Sequence, residues 1–374
     1  MILSATGLRE RLHQLAGQLG ADRRVQIMEI CGTHTMAVAR GGLRSLLPQS
    51  LRLVSGPGCP VCVTDQSYLD QAVALALGAC GERPIVATYG DMVRVPGRDG
   101  SLAEARAQGA EVEVVYSAEQ AVELAAARPE REVVFLAVGF ETTAPGTALA
   151  VQRARREGVG NFSVLAAHKL VLPAMRALLS PGDVQIDGFL CPGHVSVILG
   201  FAAYEPIVRE FGRPCVVAGF DAGQVLAGLA AILDQIVRGA PAAASVYPAV
   251  SAGGNATARR LIDEVFIVAD ARWRALGVIP ASGLELREEF ADLDAARRFK
   301  LPQVESYELP GCRCSEVLRG RLLPVDCPLF GETCTPRDPV GPCMVSSEGA
   351  CAASYKYDRG ALAGRKGQGG TGNG

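Results

Sequence analysis

Eight short runs of β-branched and apolar residues, each followed by a helix-like stretch, constrain this chain more than any other feature. They are "VQIMEI" (25–30), "LRLVSG" (51–56), "PIVATYG" (84–90), "VEVVYS" (112–117), "EVVFLAVGF" (132–140), "FSVLAAH" (162–168), "IDGFLC" (186–191) and "PCVVAGF" (214–220). Runs this continuously apolar are buried on both faces. Their alternation with alanine-rich stretches such as 118–129 and 147–158 predicts parallel sheets covered by helices. Eight strands exceed one small domain. The expected fold class is α/β, with a first domain over 1–125, a second over 126–265 and a third segment over 266–374. From 302 that segment is rich in Cys, Pro and Gly, and a disordered tail is expected from about 360.

The charge balance narrows the partners. With 37 Lys and Arg against 39 Asp and Glu, net charge is −2 and no basic block occurs, so neither nucleic acid nor an anionic membrane is expected. The opening "MILSATGLRERLHQLAGQLG" reads as an amphipathic helix rather than a secretory signal. No uncharged apolar run approaches the roughly 20 residues that span a bilayer. A cytoplasmic location is the expectation, and there twelve cysteines point to metal or redox chemistry rather than structural disulfides.

The polar and cysteine-bearing motifs fall directly after strands, on the edge where parallel sheets bind ligands. A cleft between the two domains would gather them, with Asp91, Glu141, Thr142, Thr143, His168 and His194 as candidate cleft residues. For several, a structural role competes: a loop salt bridge for Asp91 with Arg94, a helix cap for the "GFETT" residues. Cys31, at a strand end with His34 beyond it, suits a soft metal site or a nucleophile, or a plain buried thiol. Cys59 and Cys62 form the one C-x-x-C, in a loop stiffened by prolines. With no second pair to complete a zinc site, a redox dithiol is favoured over zinc. Cys80 and Cys215, in apolar surroundings, read as core. Cys314, Cys327, Cys334 and Cys351 follow a dispersed C-x12-C-x6-C-x16-C pattern. That suits a [4Fe–4S] cluster better than a structural zinc, which usually takes cysteines in tight pairs. Cys312 and Cys343 are spare thiols in the same stretch.

Six motifs occur in order: "MEICGTHT", "GPGCPVCV", "YGDMVRVPG", "GFETTAPG", "CPGHVSVILG" and "CPLFGETCTP…MVSSEGACAA". Together they resemble the HypD family of [NiFe]-hydrogenase maturation proteins over nearly the whole chain. The resemblance implies two similar α/β domains around a cleft, a C-terminal [4Fe–4S] module, and a scaffold on which the Fe(CN)2CO group is assembled. It implies a small chaperone partner, HypC, with HypE and HypF as the cyanide source, and a chain monomeric when alone. By motif, Cys31 would be the iron-binding thiolate with His34 nearby, and Cys59 and Cys62 the redox pair. The cluster ligands would be Cys314, Cys327, Cys334 and Cys351. Met36 stands where the family's first motif commonly has a second histidine. A free-standing iron–sulfur thiol/disulfide oxidoreductase is the competing expectation.

Overall fold

The structure, a computed structural model, describes residues 4–20, 22–180 and 185–358. The tail expected from about 360 lies outside the described residues. In chain order the first strands are β1 (Val25–Glu29), β2 (Leu51–Ser55), β3 (Ile85–Thr88), β4 (Val112–Val114) and β5 (Val133–Gly139). Then come β6 (Phe162–His168), β7 (Gly188–Cys191), β8 (Cys215–Val217) and β9 (Ala243–Ser245), followed by β10 (Phe266–Trp273) and β11 (Gly277–Leu286). All eight apolar runs form strands.

The strands build two parallel sheets, ordered β2-β1-β7-β8-β9 and β4-β3-β5-β6, and an antiparallel hairpin of β10 and β11. Every pairing within the two larger sheets is parallel. The fold is α/β, as the alternation requires. The seven residues of β5 are all buried, which is why that run reads as unbroken apolar sequence.

The chain falls into two compact units. One comprises 1–59, 175–254 and 311–374; the other comprises 60–174 and 255–310. The contiguous boundaries at 125 and 265 are corrected by strand pairing: β1 takes β7 as its neighbour, while β3 pairs with β5. A parallel partner needs a long crossover, so the chain leaves the first sheet after β2 and returns to it at β7.

Within the first unit, Leu8, Leu12 and Leu15 of the helix Ala5–Gly17 form a buried stripe at helical spacing. They join Val25, Ile27, Leu53, Leu190 and Val216 of the sheet and Leu229, Ile232 and Leu233 of the helix Ala222–Arg238 in one core. At about 2 kcal/mol for each fully buried large aliphatic side chain, this core fixes the sheet whose ends carry the cysteine loops. Among the described residues no helix is long and apolar enough to cross a membrane.

Candidate functional site: a buried thiol and imidazole beside a cysteine-lined cavity

Three segments of the first unit meet at Cys31. The β1 ladder is extended by the Ile30 N–H donating to Leu190 O at 3.3 Å, which delivers Cys31 to the sheet's carboxyl edge. Cys31 is extended and sits at the N-cap of the helix Gly32–Arg40. The "GPGC" loop lies directly behind it. Gly32 N–H donates to Gly58 O at 3.1 Å, and a Cβ on Gly58 would collide with the backbone of Ile30 and Cys31. Only glycine permits that approach. From the other side comes the segment 346–348: Thr33 Oγ1 donates to Glu348 Oε1 at 2.6 Å, and a Cβ on Gly32 would lie 2.5 Å from Glu348 Cβ.

Burial sets the electrostatics. Cys31 is almost wholly enclosed, which pushes its thiol up to about 12; the backbone N–H groups of His34 and Thr33 pull it down, and the Glu348 charge adds to the rise. His34 is fully buried. Its Nε2 lies 3.2 and 3.0 Å from the carbonyls of Ala218 and Gly219, which fixes Nε2 as the protonated nitrogen and leaves Nδ1 without a partner. Burial lowers His34 to about 4, against the two carbonyls, so the ring is neutral at pH 7. Phe220 stacks against His34 at 4.9 Å and against the exposed His194 at 4.2 Å.

Cys59 and Cys62 are disulfide-bonded, while the other ten cysteines are in no disulfide. Ser346 Oγ lies 3.4 Å from Cys59 Sγ. With that sulfur in a disulfide, the hydroxyl is the only available donor.

In the 311–358 stretch, Cys312, Cys314, Cys327, Cys334, Cys343 and Cys351 line one small cavity. Cys314 Sγ is 2.8 Å from Cys343 Sγ. Cys312 Sγ packs against Gly341, where a Cβ would stand 2.7 Å away. Burial raises the Cys334 and Cys351 thiols, and neighbouring cysteines raise both further. Among the described residues no three His, Cys, Asp or Glu side chains are grouped as ligands of a single metal ion.

The remaining sequence candidates belong to the second unit, His194 excepted. Asp91 is half-buried in the short helix Gly90–Met92 after β3. Glu141, buried, accepts from the Val171 N–H at 2.9 Å through Oε1, while Oε2 has no partner; burial raises it to about 7. Thr142 is exposed. Thr143 stands at the N-cap of the helix Ala144–Glu157, but its hydroxyl donates back to Phe140 O at 3.2 Å instead of capping. His168 is buried at the end of β6, with Nε2 3.2 Å from Thr147 Oγ1. Cys215 is buried in β8, whereas Cys80, expected in the core, is half-exposed beyond the helix Gln66–Ala76.

Sequence reasoning passed over Glu29, Ser346 and Glu348. Glu29 is fully buried on β1 and accepts from Ser55 Oγ at 2.7 Å and from Arg44 at 3.3 Å. Burial outweighs the single, partly exposed guanidinium and raises Glu29 to about 7. Ser346 and Glu348 lie in the "MVSSEGACAA" motif, where the cysteine is the chemically conspicuous residue.

The family model described as "Hydrogenase formation hypA family", named HypD, matches residues 4–358. The chain belongs to the HypD family. Curated members are similar end to end. The hydrogenase maturation factor HypD of Azotobacter vinelandii is 46% identical over 360 residues, covering 92% of this chain and 94% of that protein. The HypD of Escherichia coli K12 is 43% identical over 352 residues, covering 94% and 93%. A putative hydrogenase expression/formation protein of Methanocaldococcus jannaschii is 40% identical over 351 residues, covering 94% and 96%. The expected HypD resemblance is therefore shown, and hydrogenase maturation is the setting for the site.

Proposed function

We propose that this HypD-family chain is a scaffold with redox activity on which the Fe(CN)2CO group of [NiFe]-hydrogenase is assembled. Cys31 holds the iron together with a thiolate of the small chaperone HypC, and HypE with HypF supplies cyanide. The observation that carries this reading is the convergence of Cys31, the Cys59 loop and the 346–348 segment within one unit.

The chemistry of Cys31 supports a metal ligand over a free nucleophile. A nucleophilic cysteine needs a lowered pKa, and this thiol is pushed up to about 12. A soft cation replaces the proton instead, so iron loading releases one proton from Cys31. The Thr33 and His34 N–H groups favour the resulting thiolate, and neutral His34 adds no competing positive charge.

The six cavity-lining thiols are numerous enough to supply the four ligands of a [4Fe–4S] cluster. When bound, such a cluster passes single electrons. Cys327, Cys334 and Cys351 would hold it, as the sequence reading has it. The 2.8 Å approach of Cys314 to Cys343 favours Cys312 over Cys314 as the fourth ligand, with Gly341 making room for its sulfur. Reduction of the Cys59–Cys62 disulfide breaks one S–S bond and takes two electrons, delivered one at a time by a low-potential one-electron carrier protein, and one proton from solvent, which leaves a thiol on Cys62 and a thiolate on Cys59. Ser346 Oγ then donates to the Cys59 thiolate.

If anaerobic Cys59→Ala or Cys62→Ala protein assembles the cyanide-ligated iron at the parent's level, the dithiol has no such role. A free-standing disulfide reductase would reduce substrates without any chaperone partner, and turnover assays with a ferredoxin-type donor separate the two readings.

A further inference from the structure

The second unit carries another chemistry-bearing pocket, independent of the cysteines. A cavity of about 180 Å³ opens at the end of β6, with Asp65, His168 and Lys169 in its floor and Asp270, Arg272 and Glu285 around it. The three floor residues are buried, Lys169 at 7% exposure; the other three are exposed.

The polar groups of the floor are engaged except for two atoms, His168 Nδ1, which has no partner, and Lys169 Nζ. Asp65 Oδ1 accepts from Ser67 N at 3.1 Å and Ser67 Oγ at 2.5 Å, and its Oδ2 accepts from Ser306 Oγ at 2.7 Å. Tyr68 Oη donates to Leu165 O at 2.9 Å, Thr64 Oγ1 donates to Pro60 O at 2.8 Å, and His168 Nε2 has Thr147. Asp270 is tied into the hairpin: its Oδ1 accepts from the N–H of Ala281, a non-glycine residue at φ +50°. Lys169 is the cation left over. Among the described residues nothing accepts a hydrogen bond from its Nζ, and no carboxylate lies within the 4.0 Å of an ion pair. A buried ammonium persists where something else completes its hydrogen bonds.

We propose that this pocket binds a small monocarboxylate, whose oxygens complete the hydrogen bonding of Lys169 while Arg272 stands at the rim. The facing groups choose the ligand's charge. Two cations, Lys169 and Arg272, meet three carboxylates, Asp65, Asp270 and Glu285, so the surplus of negative charge opposes a multiply charged anion more than a single carboxylate, whose oxygens accept from Lys169 Nζ. The cavity volume limits the ligand to a small molecule. Burial lowers Lys169 to about 8, with Asp65 pulling the other way, so binding weakens as pH rises through 8.

The test is calorimetric titration of the full-length, anaerobically purified protein with acetate, with inorganic phosphate as the contrasting anion. Acetate is expected to saturate one site, Lys169→Met to weaken it at least about tenfold, and phosphate to bind less well. In parallel, acetate should slow acylation of Lys169 by an amine-directed reagent, read by peptide mass spectrometry on the unmodified chain. That measurement decides the matter if Lys169→Met does not fold. The proposal is overturned by no saturation up to about 100 mM acetate, by unchanged binding in Lys169→Met, by tighter binding of phosphate, or by acylation indifferent to acetate.

Discussion

Among the described residues each unit buries one glutamate and one histidine: Glu29 and His34 in the first, Glu141 and His168 in the second. Burial treats the pairs alike. Both carboxyls are raised to about 7, and the imidazoles are lowered to about 4 and about 3. What separates the units is the company these groups keep. In the first, His34 follows Cys31, against which the Gly58 loop and Glu348 pack. In the second, His168 neighbours Lys169 and Asp65, with no sulfur among the residues lining the pocket. One architecture thus presents soft donors at one sheet and a charged nitrogen at the other, so buried titratable groups alone do not mark the site proposed for iron.

The comparison is broken most severely through the cysteine cavity. Cys327→Ala or Cys351→Ala is expected to abolish most of the protein's iron and its brown absorbance, while Lys169→Met leaves both intact. Within the cavity, Cys312→Ala should lose cluster signal by electron paramagnetic resonance and Cys314→Ala should retain it. The reverse outcome restores the ligand set read from sequence.

Gly58→Ala attacks the first unit's geometry. The added methyl meets the backbone of Ile30 and Cys31, so a loss of more than about 2 kcal/mol is expected in chemical denaturation. Gly160→Ala, whose Cβ meets nothing, is the control in the second unit.

The histidines give a smaller, pH-dependent effect. His34 has a folded pKa of about 4 against an ordinary 6.5, so between those values the unfolded chain binds more protons. Its contribution is complete above 6.5 and is lost as pH falls towards 4. His34→Gln should flatten the stability profile in that window, and His168→Gln should do so over a window reaching to about 3. Glu29→Gln acts with the opposite sign. The folded state holds the extra proton between 4.5 and about 7, so the parent loses stability as pH rises through that range and the variant does not.

The smallest expected effect is at Glu348. Its charge raises Cys31, so Glu348→Gln should lower the thiol pKa and quicken alkylation of Cys31 a few-fold, measured by mass spectrometry.

Much of this was legible in the sequence, for identifiable reasons. The eight strands were readable because strands buried on both faces are unbroken apolar runs. The hairpin was not: "FIVADARW" is buried only at its two ends and carries Asp270 and Arg272 on its exposed interior, so it has no such run. β9 is only "AAS", too short and alanine-rich to signal a strand. Strand order was illegible because Ile27 of β1 pairs with Gly188 of β7, far along the chain, and no local pattern encodes that pairing. Cys31, Cys59 and Cys62 were found because cysteine is chemically conspicuous. Glu29, Glu348 and Lys169 were missed because a lone acid or lysine reads as solvent-exposed until burial is known.

The central claim is that Cys31 holds the iron being assembled. The most direct test is anaerobic co-purification with the small chaperone, followed by infrared spectroscopy in the cyanide and carbonyl stretching region. The account predicts those bands in the parent complex and their loss in Cys31→Ala, with the brown absorbance of the cysteine cavity retained. Bands that persist in Cys31→Ala, or that are absent from an iron-replete parent complex while maturation proceeds, would contradict it.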